Sequence, residues 1–406
     1  MPTALFFGLP LSGHTNPSLP LVAEITRRGT RVVYYSSPVF ARRIEAAGAE
    51  FRPYQNAFLN DLRQLPDRTD ELSWLLTEAT ADILERELAG VRSARADYVI
   101  ADSVAPWGQW IGQLLDRPVV TSCTTFAINR HVMAYAVSHG VQPKGVRAVL
   151  AKLRHISKAL RLRRRLRRQY GVPGTSFMGM VFGQSNLNIV YTSRDVQPCA
   201  GTFDDRFVFV GPSMASRVDT VAFPWDELQH PTVVYVSLGT LFNRDVTFFR
   251  NCIEVLGGMD CQAVLSVGEQ VRVEDLGRIP RNVLVRSQVP QLELLRRTSA
   301  FVTHAGMNSV NESLAFGVPM VVVPQMSEQF IVARRVEELG AGVYVDKSDA
   351  GVDALRRAID AVLGERRYRE RAVALGTSLR EAGGVSRAVD AIETFTGRAG
   401  TVALGS

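Results

Sequence analysis

The sequence predicts an α/β protein with two domains, each built on a parallel sheet flanked by helices. The chain has 406 residues, which is more than a single hydrophobic core usually supports. Short β-rich runs alternate with longer helical stretches in both halves, and this alternation is typical of parallel sheets covered by helices. It stops between residues 211 and 231, where Gly and Pro replace the periodic pattern. We therefore predict an interdomain linker there.

The first domain is predicted over residues 1–212. Apolar runs rich in β-branched and aromatic residues predict strands at 4–8, 31–36, 98–101, 118–121, 187–191 and 207–210. Longer stretches with helical periodicity lie between the first of these strands, at 17–28, 38–47, 71–93 and 108–115.

A second domain is predicted over residues 231–380, after a linker at 213–230. Its strands are expected at 232–237, 263–266, 283–286, 300–303 and 320–323, and its helices at 246–256 and 308–316. A last helix, at 385–396, lies in a C-terminal segment, 381–406, that we expect to return to the first domain.

The composition narrows the class of protein. An apolar fraction of 46% with 21% charged residues is that of an ordinary globular protein and excludes intrinsic disorder. The N-terminus has no secretion leader and no run reaches the roughly 18 to 20 apolar residues that span a bilayer, so we expect a cytoplasmic protein. The cysteines have neither metal-ligand nor disulfide spacing, so we expect core thiols and no metal: Cys123, Cys199, Cys252 and Cys261.

The positive charge of the chain is concentrated in one segment. Residues 144–168 contain eleven Lys or Arg and no acid, so the formal net charge of +7 leaves the rest of the chain slightly negative. This distribution does not indicate nucleic-acid binding. The segment is predicted to be a helix with a partial apolar stripe, and we interpret it first as a solvated helix. A weak contact with a membrane surface and a role toward an anionic acceptor are the alternatives.

The first strand leads into a loop that carries a candidate base. Its residues, 8–17, end in Asn16-Pro17, which suits a helix beginning at Pro17 with Asn16 as its cap. The spacing is not that of a dinucleotide-binding loop, and a phosphate-binding P-loop would require Lys where His14 stands.

His14 is placed at the carboxyl edge of the predicted sheet, where ligands bind in open α/β folds. A histidine that acts as a base needs a carboxylate to orient it, and Asp102 follows an apolar strand at the same edge. The alternatives are a His14 that bonds only the backbone of its loop and an Asp102 that only caps the next helix.

A second strand, turn and helix, at 300–316, favours anion binding. Amides at the start of the helix, near Asn308 and Ser309, suit a diphosphate, with His304 as an added donor. Glu312, one turn further, could accept the hydroxyls of a ribose, although Ser309 and Glu312 also have the spacing of a capping box. Other polar residues follow neighbouring strands at this edge: Ser237, Thr240, Glu328 and Gln329.

These residues together resemble the inverting nucleotide-sugar glycosyltransferases of the GT-B type, which have two facing Rossmann-like domains. The likeness is closest to bacterial macrolide and natural-product glycosyltransferases of the UDP-glycosyltransferase family, and it covers essentially the whole chain. It is carried by the turn at 13–17, the segment at 207–212, and a donor signature of Val289-Pro290-Gln291, residues 304–309, Glu312 and Glu328-Gln329.

The resemblance implies a role for each site residue. His14 would deprotonate the acceptor, with Asp102 as its partner. The donor side would consist of a nucleobase contact at Val289, phosphate contacts at Ser237, Thr240, His304, Gly306, Asn308 and Ser309, a ribose contact at Glu312, and sugar contacts at Glu328 and Gln329. Many relatives have an aromatic residue where this chain has Gln288, which leaves the choice between uridine and thymidine donors open.

The function implied is transfer of a hexose from a UDP-sugar or dTDP-sugar to a hydroxyl of a hydrophobic small molecule, such as a macrolide or polyphenol. A single in-line displacement would invert the anomeric carbon, and no metal or other cofactor is expected. Apolar stretches at 58–76 and 126–141 are the candidate acceptor pocket. The alternatives are an epimerase on the same fold, a glycolipid glycosyltransferase at a membrane surface, and a nonenzymatic binder.

Overall fold

A computed structural model describes residues 1–60, 62, 69–140, 146–171, 185–214, 221–240 and 244–403. Parts of the predicted linker (215–220), of the two acceptor stretches (61, 63–68 and 141) and of the basic segment (144 and 145) lie outside the described residues. The chain divides into two compact units, one formed by residues 1–215 with 382–406 and the other by residues 216–381.

The first unit contains a sheet of seven parallel strands. The strands are β1 (Thr3–Phe7), β2 (Arg31–Ser36), β3 (Glu50–Pro53), β4 (Tyr98–Asp102), β5 (Val119–Cys123), β6 (Leu187–Val190) and β7 (Phe207–Phe209). They are ordered β3-β2-β1-β4-β5-β6-β7. The order reverses between β1 and β4, which lie side by side in parallel register, with Phe7 beside Ala101.

Helices cover this sheet, and their bounds follow the chain. They are α1 (Ser12–Arg27), α2 (Ala41–Ala46), α3 (Ala57–Asn60), α4 (Thr69–Ser93), α5 (Pro106–Leu114), α6 (Arg130–Ser138) and α7 (Val146–Tyr170). The C-terminal helix, Gly384–Ala403, also belongs to this unit. Val389 and Ile392 of that helix are buried with Leu21 and Ile25 of α1, so apolar packing holds the end of the chain on the first unit.

The second unit contains a sheet of six parallel strands. The strands are β8 (Val233–Ser237), β9 (Gln262–Ser266), β10 (Val283–Arg286), β11 (Ala300–Thr303), β12 (Met320–Val322) and β13 (Gly342–Tyr344). Their order is β10-β9-β8-β11-β12-β13, with the reversal between β8 and β11. The helices are α8 (Val246–Gly257), α9 (Gln291–Leu295), α10 (Met307–Ala315), α11 (Ser327–Glu338), α12 (Val352–Gly364) and α13 (Arg366–Glu381); the C-terminal helix is α14.

The strands of both sheets are nearly continuous apolar runs because helices cover both of their faces. In β4, for example, all five residues are buried, including the terminal Asp102. The short edge strands β3 and β13 were not predicted from the sequence, nor were helices α3, α6, α9, α11, α12 and α13. It was also wrong to treat all four cysteines as core thiols, because Cys199 is only half-buried. None of the described helices is long and apolar enough to cross a membrane.

Candidate functional site

Helix α1 begins earlier than the sequence predicted. The amides of His14 and Thr15 both donate to the carbonyl oxygen of Leu11, at 2.9 and 2.8 Å. These bonds start the helix at Ser12, so His14 lies in its first turn rather than in a loop. The prediction that Asn16 caps a helix beginning at Pro17 was therefore wrong. The Asn16 side chain instead accepts a hydrogen bond from Arg43 at 2.7 Å.

Asp102 is the last residue of β4, and its carboxylate lies against the His14 ring. The two carboxylate oxygens are 2.9 and 3.0 Å from His14 Nδ1. Asp102 is only 2% exposed, and the Val104 amide donates to its Oδ1 at 2.8 Å. Asp102 does not cap helix α5, which begins four residues later at Pro106. That alternative for Asp102 was wrong.

Thr124 is a third side chain at this position, and the sequence analysis missed it. Its Oγ1 lies 2.7 Å from His14 Nδ1, and the residue is buried. Thr124 directly follows β5, which is the neighbour of β4 in the sheet. The strand predicted at 118–121 ends shortly before Thr124, and a polar residue after this strand is the signal that could have found it.

The carboxylate fixes which ring nitrogen of His14 holds the proton. An ionised carboxylate can only accept hydrogen bonds, so the nitrogen facing it, Nδ1, must be the donor. A neutral imidazole has one N–H, so the lone pair is then on Nε2. The first unit thus presents a histidine in the tautomer that a general base requires.

A buried hydrogen-bond chain holds the segment between β1 and His14. The Tyr54 hydroxyl donates to the carbonyl of Gly8 at 2.9 Å, and Trp107 Nε1 donates to the Tyr54 oxygen at 3.0 Å. A Cβ atom on Gly8 would lie 2.5 Å from the Tyr34 hydroxyl. Only glycine leaves room for this packing. Trp107 is in α5, so the chain ties the His14 segment to the helix that follows Asp102.

In the second unit, His304 lies at the corresponding reversal of strand order, but on the strand that matches β4 and not β1. It directly follows β11, which pairs with β8 so that Thr303 lies beside Ser237. Two glycines border the His304 ring. A Cβ atom would lie 2.3 Å from Nε2 if placed on Gly306, and 2.7 Å from it if placed on Gly239. The ring can therefore occupy this site only because both positions lack a side chain.

His304 is uncharged at neutral pH. Burial lowers the pKa of its imidazole to about 4, and a hydrogen bond to the backbone of Ser237 opposes this shift only in part. Removing a cation from water costs free energy, which is why burial favours the neutral ring. His304 can therefore offer a diphosphate a neutral side chain but not the positive charge of an imidazolium.

Helix α10 starts at Met307, and its cap is the backbone of Gly306, without a side-chain hydrogen bond. Ser309 is thus the third residue of the helix and not its cap, so the capping-box interpretation of Ser309 and Glu312 was wrong. Amides in the first turn of a helix have no acceptor within that helix and lie at the positive end of its dipole. His304 lies two residues before this cap.

Glu312 is buried within α10 and contacts a polar side chain from α9. Gln291 Nε2 donates to its carboxylate at 2.6 Å, and the Tyr235 hydroxyl donates to Gln291 Oε1 at 3.0 Å. Glu312 is only 4% exposed. A buried carboxylate is stable only where hydrogen bonds compensate for its lost hydration, and Gln291 supplies one of them.

The remaining donor-side candidates lie on the same unit in different settings. Gln288 is exposed and donates to Glu269 at 3.2 Å. Gln329 is buried, and its Oε1 accepts from the amides of Gln325 and Met326 at 2.8 and 3.2 Å. This oxygen therefore fastens the start of α11. Of the other donor-side candidates, Val289 is half-buried, and Thr240 and Glu328 are exposed.

Comparison with known proteins identifies the family. The chain is 36% identical to the uncharacterized UDP-glucosyltransferase YojK of Bacillus subtilis (strain 168), over 97% of both chains. Together with the fold, this similarity decides the assignment. The chain belongs to the GT-B nucleotide-sugar glycosyltransferases.

Other relatives agree with this glycosyltransferase assignment. Residues 250–381 match the C-terminal domain of proteins like erythromycin biosynthesis protein CIII. The demethyllactenocin mycarosyltransferase of Streptomyces fradiae is 32% identical, over 96% of this chain and 85% of its own length. The crystal structure of the glycotransferase of kitacinnamycin is 28% identical, with a TM-score of 0.82 over 97% of this chain and 99% of that one.

The glycosyltransferase therefore uses a nucleotide sugar as its co-substrate and is of the natural-product type. The glycosyltransferase activity excludes the epimerase and the nonenzymatic binder as alternatives. Among the residues that the structure describes, no group of three or more His, Cys, Asp or Glu side chains could hold a metal ion.

Proposed function

We propose that this glycosyltransferase inverts the anomeric carbon of a nucleotide-linked hexose and uses His14 and Asp102 as its base. The observation that supports this most directly is the 2.9 Å contact between His14 Nδ1 and a buried carboxylate. That contact keeps the Nδ1 proton in place and leaves the Nε2 lone pair to accept one.

The proposed reaction is a single displacement. His14 Nε2 takes the proton of an acceptor hydroxyl as that oxygen forms a bond to the anomeric carbon. The bond between the anomeric carbon and the diphosphate oxygen breaks, and the nucleoside diphosphate leaves with the electron pair. Asp102 stabilises the imidazolium that forms, because its carboxylate lies beside the Nδ1–H. Attack and departure on opposite faces invert the configuration.

The second unit is proposed to hold the donor. The first turn of α10 presents amides and the positive end of a helix dipole to the diphosphate. Asn308, Ser309 and the neutral His304 ring would add side-chain contacts beside it, at the end of β11 where the sheet order reverses. The Glu312 carboxylate would accept the ribose hydroxyls, while Glu328 and Gln329 would contact the sugar.

The acceptor is proposed to be a hydrophobic, hydroxylated natural product. Helix α6 lies in one of the two stretches predicted to form its pocket, and it exposes Met133 by 37% and Val137 by 47%. These two side chains are four residues apart, so they form one apolar surface on the helix. A large apolar ligand would bury that surface.

The donor nucleotide is proposed to be UDP, with dTDP as the second candidate. Gln288 is exposed where many family members have an aromatic residue, so less base stacking is expected at this position. The relative YojK is named as a UDP-glucosyltransferase, which favours uridine.

The test is an assay with EDTA that pairs UDP-sugars and dTDP-sugars with macrolide and polyphenol acceptors. Product mass would establish transfer, and proton NMR of the product would give its anomeric configuration. We expect a β-linked product from an α-linked donor. A product that retains the donor configuration would overturn the single displacement.

A further inference from the structure

Some exposed arginines of this protein form local ion pairs with an acid. The two residues of each pair lie close together in the sequence, so the acid neutralises much of the arginine's charge at the surface. Examples with N–O distances of 2.5 to 2.9 Å are Arg86 with Asp82, Arg206 with Asp204, Arg272 with Asp275, and Arg356 with Asp360.

Helix α7 carries a dense cluster of exposed arginines. One of its faces carries five exposed arginines, which we call the arginine stripe: Arg154, Arg161, Arg164, Arg165 and Arg168. Within the described part of the chain, none of the five guanidinium groups forms an ion pair with an acid. Nor can the helix supply a partner, since residues 144–168 contain no Asp or Glu.

The stripe faces away from the core because the opposite face of α7 is already packed. Leu162, Leu166 and Tyr170 follow one another at four-residue spacing and contact the buried cluster beneath the helix. Residues 154–168 span about 21 Å at the usual helical rise of about 1.5 Å per residue. The five arginines therefore lie along one side of the helix and can contact a flat surface together.

This arrangement costs stability unless an anion accompanies it. Arg161 and Arg165, like Arg164 and Arg168, are one turn apart, and like charges at that spacing repel. All five charges are guanidinium groups, which match phosphate oxygens with two parallel hydrogen bonds. The stripe is therefore suited to a surface that presents many phosphates.

Its chemistry favours a lipid surface over a nucleic acid. Proteins that bind single-stranded nucleic acids place aromatic rings among their basic residues for the bases to stack on. On the described outer face of α7, the residues between the arginines are polar, such as Ser157, and its one described aromatic residue, Tyr170, packs toward the core. A bilayer of anionic phospholipids requires only charge at its surface.

We propose that the arginine stripe of α7 binds the surface of an anionic phospholipid bilayer. The helix lies on the head groups without entering the bilayer, because its apolar face is occupied by the core. If the acceptor is hydrophobic, as the proposed function states, this contact places the enzyme where such a molecule partitions. The binding itself does not depend on that function.

The experiment measures sedimentation of the full chain with phosphatidylcholine vesicles, with and without phosphatidylglycerol. We expect binding only to the anionic vesicles, and weaker binding as salt is added. Each basic residue near such a surface contributes about fivefold to the partition coefficient. The quadruple variant R161Q/R164Q/R165Q/R168Q should therefore bind at least about a hundredfold more weakly.

Two controls keep the interpretation specific. The variant R86Q/R206Q/R272Q/R356Q removes the same number of charges from paired surface positions and should bind anionic vesicles nearly as well as the wild type. Lysine at the four stripe positions should restore binding to within a few-fold, since a point charge suffices at a membrane surface. Transfer to a water-soluble acceptor should be unchanged in all three variants.

Three results would overturn the proposal. One is no binding of the wild type to anionic vesicles at low salt, and another is an equal loss in the stripe and control variants, which would reduce the effect to net charge. Tighter binding to an RNA oligomer than to anionic vesicles would assign the stripe to a different partner. Failure of the proposed function would appear instead as an absence of sugar transfer with vesicle binding intact.

Discussion

The two units of this glycosyltransferase have similar sheets, but the residues that surround the histidine differ between them. In each sheet the strand order reverses once, and a histidine follows one of the two strands at that reversal. His14 lies seven residues after β1, and His304 directly follows β11, the counterpart of β4. His14 faces a buried carboxylate at 2.9 Å. His304 lies between two glycines and is neutralised by burial, with a pKa of about 4.

The difference shows that the residues around a histidine, and not only its place near the reversal of strand order, determine its chemistry. The acid beside the His14 ring keeps the ring proton on Nδ1, so the lone pair on Nε2 can accept a proton. Burial without an acid disfavours the protonated form, so His304 stays a neutral ring beside a helix N-terminus. The fold supplies the position, and the residues that border the ring determine what it does.

The largest expected effect is from removing the proposed base. His14→Ala should lower kcat by about a hundred- to ten-thousandfold, the usual range for general-base catalysis, while the Kd for UDP stays unchanged. Steady-state kinetics and calorimetry would measure the two quantities. The control is His230→Ala, which removes a histidine from another pair with an acid, 3.2 Å from Asp260. Normal turnover in His14→Ala would exclude His14 as the base.

The next largest effect should come from changing the partner of that base. In Asp102→Asn, the Val104 amide still requires an acceptor, so the new NH2 group would face His14 Nδ1. That arrangement moves the ring proton to Nε2 and should lower kcat by about ten- to a hundredfold, part of the general-base effect. Asp260→Asn is the matched control. If kcat fell only as far as it does in that control, the carboxylate would have no role in orienting the ring.

A smaller effect is expected in the second unit. Glu312→Gln should raise the Kd for UDP about tenfold, since it replaces hydrogen bonds to a charged group, about 1.5–3 kcal/mol each, with neutral ones of about 0.5–1.5 kcal/mol. Isothermal calorimetry would test this. The control is Asp245→Ala, which removes the side chain that caps α8 through the Phe248 amide at 3.0 Å. That change should lower the free energy of unfolding by about 1 kcal/mol without altering UDP affinity. If Glu312→Gln lowered the free energy of unfolding but left the Kd for UDP unchanged, the role of Glu312 would be structural.

The smallest effect should be the pH dependence that His304 confers on stability. An unfolded histidine takes up a proton as the pH falls through about 6.5, whereas the folded His304 stays neutral until about pH 4. The unfolded state binds more protons in this interval, so stability declines as the pH falls across it.

His304→Gln should remove this contribution, and its Tm should decline less than the wild-type Tm between pH 7 and pH 5, by a few degrees. Thermal unfolding followed by circular dichroism would measure the two curves, with a change of the exposed His131 to Gln as control. Parallel curves for wild type and His304→Gln would show that His304 is not held neutral in the fold.

Elements with a continuous or periodic apolar pattern could be predicted from the sequence. Strands β2 and β11 have the predicted bounds, and α8 ends one residue beyond its prediction. These segments were predictable because burial on both faces imposes a continuous apolar pattern. Strand β13 has three residues and only the first of them is buried, so its apolar pattern was too weak to predict.

The start of α1 could not be predicted because a local signal was misleading. Asn16-Pro17 has the chemistry of a helix start, yet hydrogen bonds to Leu11 begin the helix at Ser12. Ser309 and Glu312 gave a second misleading signal, since their spacing suits a cap that the Gly306 backbone supplies instead. In both places the helix begins on a backbone carbonyl, that of Leu11 or Gly306, without a side-chain cap.

The sequence by itself determined the two-sheet α/β architecture, the family, and the placement of His14, Asp102, His304 and Glu312 near strand or helix ends. It could do so because chain order and periodicity dictate where parallel strands end. Only the tertiary structure decided which side chains meet. The Thr124 contact with His14 and the Gln291 contact with Glu312 join residues 110 and 21 positions apart. Such distances close only when strands pair and helices pack.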